Sequence, residues 1–84
     1  MTSPDWKLKH KIEQNTKNVS FKDLQVLLES FGFKLRSSKG SHFFVKRKGC
    51  QPFSIPFARP LKEIYVKKAL SRINGLIAQG EFDD

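Results

Sequence analysis

The segment Lys39–Phe44 holds the residues whose types and spacing could do chemistry. Its histidine, His42, follows a Gly-Ser pair at the start of a predicted strand. Imidazole exchanges protons near neutral pH because its unperturbed pKa is about 6.5. Lys39, Lys46 and Arg47 lie close by in the sequence and could attract a phosphodiester. A proton-transfer group among cations indicates chemistry on RNA.

The charge balance of the whole chain points in the same direction. The 84 residues include 16 Lys and Arg against 8 Asp and Glu, which gives a net charge of +8. Between Phe33 and Arg72 there are eleven basic residues and one acidic residue, Glu63. Such a field attracts nucleic acid, anionic lipid or an acidic protein. A solvated surface without a partner is the alternative that charge alone leaves open.

Length and cysteine content restrict the class of protein. A chain of 84 residues forms one small domain. The chain has a single cysteine, Cys50, which cannot form an internal disulfide and cannot build a zinc site. No stretch approaches the ~20 apolar residues of a membrane span, and the first residues lack the apolar run of a signal peptide. We therefore expect a cytoplasmic protein that contacts no membrane, needs no metal or cofactor, and is a monomer when alone.

Two amphipathic helices are predicted from apolar residues at helical spacing. Ser20 can cap the first helix by accepting the amide hydrogen of Asp23, and Gly32 can end it in the left-handed region. In the second helix, Glu63 can pair with Lys67. The apolar stripes consist of Phe21, Leu24, Leu27, Leu28 and Phe31 in the first helix, and Val66, Ala69, Leu70, Ile73 and Leu76 in the second.

Three antiparallel strands are predicted between these helices. The first begins at Phe33, the second runs from Ser41 to Arg47, and the third follows a hairpin at Gly49. Its alternating apolar residues are Phe53, Ile55 and Phe57. Pro52 and Pro56 lack amide donors, which places at least part of the third strand at a sheet edge.

Two helices with one apolar stripe each can cover only one face of such a sheet. Alternation in the second strand puts Phe43 and Val45 on the covered face. The open face then holds His42, Phe44 and Lys46. The predicted fold is α+β, in the order α-β-β-β-α, with two helices on one face of a three-stranded antiparallel sheet.

The ends of the chain are predicted to be less regular. Residues 1–19 form an N-terminal extension, either a short helix capped by Ser3 and running to about Gln14, or a flexible arm. The compact domain spans residues 20–78. Residues 79–84 form an acidic C-terminal tail, which we expect to be loose.

A set of motifs extends from Ser20 to Ile73, roughly two thirds of the chain: Gly32-Phe33, Lys39-Gly40-Ser41-His42, the Gly49 hairpin, Ile55-Pro56 and the two helices. In these motifs the sequence resembles the HicA toxin family of bacterial toxin–antitoxin systems. The resemblance implies a fold like the double-stranded-RNA-binding domain and ribosome-independent cleavage of mRNA, the activity of an mRNA interferase. It also implies that His42 is the essential residue and that a HicB-like antitoxin protein masks the site.

His42 is the candidate catalytic residue, acting as general acid or base in RNA cleavage without a metal ion. Phe44 could stack on a base, or be buried against an antitoxin or the N-terminal arm. Gly40 could let phosphate approach the backbone or serve an ordinary turn. Lysines of the second helix could contact phosphate or only face water. The candidate RNA-binding residues are Lys39, Gly40, Ser41, Phe44, Lys46, Arg47, Lys67 and Lys68.

Two other functions remain open. Many HicA proteins carry histidine just after the Ile/Val-Pro pair, where this chain has Phe57-Ala58-Arg59. That difference favours a non-catalytic RNA-binding module of the same fold. The second alternative is a protein-interaction domain for an acidic partner, which the net charge would also suit.

Overall fold

The computed structural model describes residues 4–38, 40–58 and 61–82. These residues form an α+β fold with three helices and one three-stranded antiparallel sheet. In chain order the elements are α1 (Trp6–Gln14), α2 (Phe21–Ser30), β1 (Lys34–Ser37), β2 (His42–Lys46), β3 (Phe53–Pro56) and α3 (Glu63–Ala78). None of the helices within the described ranges is long and apolar enough to cross a membrane.

The sheet has the strand order β1-β2-β3, so β2 is central and β3 lies at an edge. Both pairings are antiparallel: Val45 of β2 lies opposite Leu35 of β1 on one side and opposite Phe53 of β3 on the other. Directly opposed residues share a face of the sheet. The prediction of antiparallel strands with the third at an edge is confirmed. Phe57, predicted in the third strand, lies just after it.

Both ends of α2 follow local signals in the sequence. The Ser20 hydroxyl accepts the amide hydrogen of Asp23 at 3.1 Å, as predicted. At the other end, Gly32 adopts a φ of +90°, and the amide of Phe33 donates to the carbonyl of Leu28 at 3.0 Å. This left-handed glycine with a backward hydrogen bond is a Schellman motif, which turns the chain from α2 into β1.

The hydrophobic core lies between the helices and one face of the sheet. Leu24 and Leu28 of α2, Val45 of β2 and Ile73 of α3 are completely buried, and Ile55 of β3 is 1% exposed. On the opposite face, Phe44 remains 45% exposed. The predicted division of β2 into a covered and an open face is therefore confirmed.

The N-terminal segment is a packed helix and not a flexible arm. Its cap is Asp5, whose carboxylate accepts the amide hydrogen of Leu8 at 3.0 Å. The predicted cap, Ser3, lies outside the described residues. Ile12 is 2% exposed, and the ring of Trp6 meets that of Phe31 edge-on with 5.2 Å between centroids. The helix α1 thus belongs to the same core as α2.

Residues after α3 also pack against the domain, in contrast to the expected loose tail. The ring of Phe82 lies 5.0 Å from that of Phe31. The guanidinium of Arg47 lies 5.3 Å above the Phe82 ring and 3.8 Å from the carboxylate of Glu81. Asp83 and Asp84 lie outside the described residues.

A hydrogen bond joins the segment after α1 to the start of α3. The hydroxyl of Thr16 donates to the carboxylate of Glu63. This bond lowers the pKa of Glu63 below its ordinary value, and the charges of Lys67 and Lys17 act in the same direction, while partial desolvation opposes them. The predicted pair of Glu63 with Lys67 is present at 3.8 Å.

Replacing Thr16 with valine, which has the same shape but no hydroxyl, should destabilise the protein slightly at neutral pH. A carboxyl whose pKa is lowered on folding contributes stability above its ordinary pKa, here 4.5, and that contribution is lost as the pH falls through the lowered value. The Thr16→Val protein should therefore match the parent in acid. Thermal unfolding followed by circular dichroism across this range measures the effect. An equal loss at neutral and acidic pH would contradict it.

Candidate nucleic-acid interface

The face of the sheet that points away from the helices carries cations, and none of its described strand residues is a carboxylate. In the strand register, Lys34 lies opposite Lys46, Arg36 opposite Phe44, and His42 opposite Pro56. All of these side chains are exposed except that of Pro56, which is partly buried. We call this surface the open face; its strand residues are Lys34, Arg36, His42, Phe44, Lys46, Ser54 and Pro56.

His42 begins β2 and is exposed on the open face. Its backbone carbonyl accepts the amide hydrogen of Ser38 at 2.8 Å, which closes the turn between β1 and β2. Within that turn Gly40 has a φ of +64°, and a β-carbon there would meet no atom within 4 Å. The turn therefore leaves open space beside the backbone just before the imidazole.

A depression of about 380 Å³ lies on the same side of the sheet, toward the Lys46 end of β2, and His42 is not part of its lining. Phe44 is the aromatic ring in its wall, and the ammonium of Lys46 is 6.0 Å from the centroid of that ring. The lining residues are Gly32, Lys34, Arg36, Phe44, Lys46, Arg47 and Lys48. A cationic depression with one exposed aromatic ring suits a single nucleic-acid strand.

Lys46 and Arg36 lie at different distances from His42, so they suit different roles. Lys46 lies four residues from His42, about 13 Å along β2, so it is placed for a different phosphate from the one that His42 could reach. Arg36 lies opposite Phe44 and is nearer to His42 by register. Among the described residues of β1, Arg36 is thus the better candidate to stabilise charge next to the imidazole.

Arg47 was predicted to bind RNA, but the structure gives it other contacts. Its Nε donates to the carbonyl of Phe31 at 3.1 Å, and its guanidinium contacts Glu81 and Phe82. The side chain is 19% exposed. Arg47 therefore holds the C-terminal end of α2 to the residues after α3, and little of its charge is presented to a ligand.

The lysines of α3 lie on the helix side of the sheet, away from His42. Lys67 is 3.8 Å from Glu63, and the ammonium of Lys68 is 5.8 Å from the centroid of Phe53, which belongs to the covered face. The structure thus does not bring these two predicted RNA-binding residues to the open face. Ser41 is exposed beside His42, and Lys39 lies outside the described residues.

Sequence reasoning missed Lys34, Arg36 and Lys48 as members of the site. The signal was present in the alternation of Lys34 and Arg36 with apolar neighbours along β1. A four-residue turn between β1 and β2 sets the register that places these cations opposite Lys46 and Phe44. Pairing the two predicted strands residue by residue would have found Lys34 and Arg36, whereas Lys48 follows β2 and has no partner in that register.

The other histidine, His10, lies far from this face. It is on α1, its side chain is 81% exposed, and its Nδ1 is 3.7 Å from the carboxylate of Glu13. After β3, the described residues Phe57 and Ala58 supply no titratable group. Within the described ranges, no three His, Cys, Asp or Glu side chains gather as metal ligands would.

An apolar cleft of about 680 Å³ lies on the helix side. Phe21, Phe43 and Phe57 form its aromatic wall, and among the described residues of its lining only Lys22 is charged. The cleft differs from the open face in both charge and position.

No family model matches the chain, and searches of curated proteins and of solved structures found no match.

Proposed function

We propose that this protein is an endoribonuclease of the HicA type, an mRNA interferase that holds RNA on the open face and cleaves it with His42. The supporting observation is an exposed imidazole on a sheet face whose described strand residues include cations and no carboxylate. The succession α2-β1-β2-β3-α3 also fits the fold of the double-stranded-RNA-binding domain that the sequence resemblance implies. A HicB-like antitoxin is the protein partner that goes with this function.

The proposed reaction needs only acid–base chemistry. His42 removes the proton from a ribose 2′-hydroxyl, and the 2′-oxygen attacks the adjacent phosphorus. The bond from phosphorus to the 5′-oxygen breaks, and that oxygen takes a proton from a lysine or from water. The products are a 2′,3′-cyclic phosphate and a 5′-hydroxyl. Arg36 offsets the negative charge that develops on the phosphoryl oxygens.

Purified protein should cut single-stranded RNA in the presence of EDTA. The reaction above dictates the ends of the fragments, so mass spectrometry should find 2′,3′-cyclic phosphates and 5′-hydroxyls. RNA in which every 2′-hydroxyl is methylated lacks the nucleophile and should remain intact, which makes it the matched control. Fragments that carry 5′-phosphates, or no fragments at all, would contradict the proposal.

A non-catalytic RNA-binding module is the second candidate, because the chain's other histidine lies on α1 and the two residues directly after β3, Phe57 and Ala58, carry no titratable group. Its signature is RNA binding without cleavage. The logarithm of the binding constant should then fall with the logarithm of salt concentration, with a slope of about −0.7 for each phosphate contact. A domain for an acidic protein partner would bind no RNA even at low salt.

A further inference from the structure

Phe44 is a large apolar side chain exposed at the middle of the open face. Its side chain is 45% exposed, and its direct neighbours across the sheet are Arg36 and Ser54. None of the ring-to-ring contacts between described residues includes it. The aromatic packing among the described residues therefore does not include this ring, although it lies at the centre of a cationic surface.

A comparison with Phe57 shows that Phe44 is unusual because it lacks ring contacts within the described part of the chain, and not because it is exposed. It is 44% exposed, yet its ring lies 5.0 Å from that of Phe21 and 6.4 Å from that of Phe43. These contacts give Phe57 a place in the packing on the helix side. Phe44 is exposed to nearly the same extent but makes no such contacts with other described residues, which makes it a candidate for contact with a ligand.

The surroundings of the Phe44 ring define the chemistry of that ligand. Lys46 lies 6.0 Å from the ring centroid, and Arg36 is directly opposite on β1. A flat apolar surface between cations matches a nucleobase with phosphates on both sides. A base inside a duplex already stacks on its neighbours, so only an unpaired base can offer its face to Phe44.

We infer that Phe44 is the stacking platform for one unpaired base of the RNA, and that it selects the bond that His42 cleaves. This inference rests on the proposed function. His42 and Phe44 point to the same face two residues apart, about 6.6 Å along β2, a separation that suits one nucleotide step of an extended strand. Single-stranded RNA is thus the substrate, and the stacked nucleotide adjoins the cleaved bond.

Binding is tested with single-stranded RNA that carries 2′-O-methyl groups throughout, because this probe stays intact. Fluorescence anisotropy at one fixed salt concentration should show that Phe44→Ala weakens binding roughly 5- to 150-fold, as expected for loss of one base–aromatic stack. Phe44→Tyr keeps a ring and should bind like the parent. Phe57→Ala, which removes an equally exposed ring on the other side of the sheet, should also bind like the parent.

The position of the stacked base relative to the cleaved bond is tested with a series of RNA substrates. Each substrate lacks the base of one nucleotide and has an abasic ribose at that position. Cleavage should drop mainly when the missing base adjoins the cleaved bond, and Phe44→Ala should lose this dependence. Equal binding by Phe44→Ala and the parent would overturn the inference, as would equal binding of a duplex and a single strand. Intact stacking without any cleavage of unmodified RNA would instead overturn the proposed nuclease function and leave the platform in place.

Discussion

Replacing His42 with alanine is expected to slow RNA cleavage by about 10²–10⁴-fold, the usual contribution of one acid–base group. The fold should be unchanged, since the imidazole is exposed on the open face. The backbone carbonyl of residue 42, which accepts the hydrogen bond from Ser38, is retained in the variant. Single-turnover cleavage measures the rate, and circular dichroism with thermal unfolding measures the fold.

His10→Ala is the matched control, because it removes the chain's other imidazole from an exposed position on α1. This variant should cut RNA at the parent rate. A folded His42→Ala protein that still cleaves RNA at the parent rate would remove His42 from the mechanism. Equal losses in both variants would also contradict the assignment, because His10 lies on α1.

The second large effect concerns stability, and it centres on Phe31. This ring is completely buried at the end of α2 and meets Trp6 of α1 and Phe82 edge-on, at 5.2 and 5.0 Å. Phe31→Ala should cost about 3–5 kcal/mol of unfolding free energy. Small domains have a total of roughly 5–15 kcal/mol, so the variant should be close to unfolding. Urea denaturation monitored by tryptophan fluorescence and by circular dichroism measures the loss.

Two further variants make this prediction testable even if Phe31→Ala does not fold. Phe82→Ala removes one ring of the cluster and should cost about 1 kcal/mol. Phe44→Ala removes a ring of the same size from the open face and should stay within about 0.5 kcal/mol of the parent. If Phe44→Ala is as destabilising as Phe82→Ala, the assignment of one ring to the core and the other to the surface is wrong.

Features set by near neighbours in the chain could be predicted from the sequence. The cap formed by Ser20 and Asp23 spans three residues, and the end of α2 at Gly32 depends on the backbone freedom of one glycine. The division of β2 into two faces follows from alternation alone. For the same reason, the sequence could place His42 and Phe44 together on the open face.

Features set by contacts between distant segments could not be predicted. Nothing near Arg47 in the sequence shows that it bonds to the carbonyl of Phe31 and contacts Glu81. Lys67 and Lys68 are a different case, because two helices on the covered face already imply that α3 and its lysines lie away from the open face. For Arg47, the position of one element on another decides the contacts, and the local sequence pattern does not contain that information.

The two edges of the sheet differ in how they would meet another polypeptide. Along β3, Pro56 has no amide hydrogen to offer, which weakens any backbone pairing there. Along β1, Lys34 and Arg36 would be brought beside the same charges of a second copy, and such repulsion protects an edge against fibrillar stacking. The cations that attract a polyanion therefore also keep the molecules apart. A polyanion that neutralises these charges would therefore weaken the repulsion that protects the β1 edge.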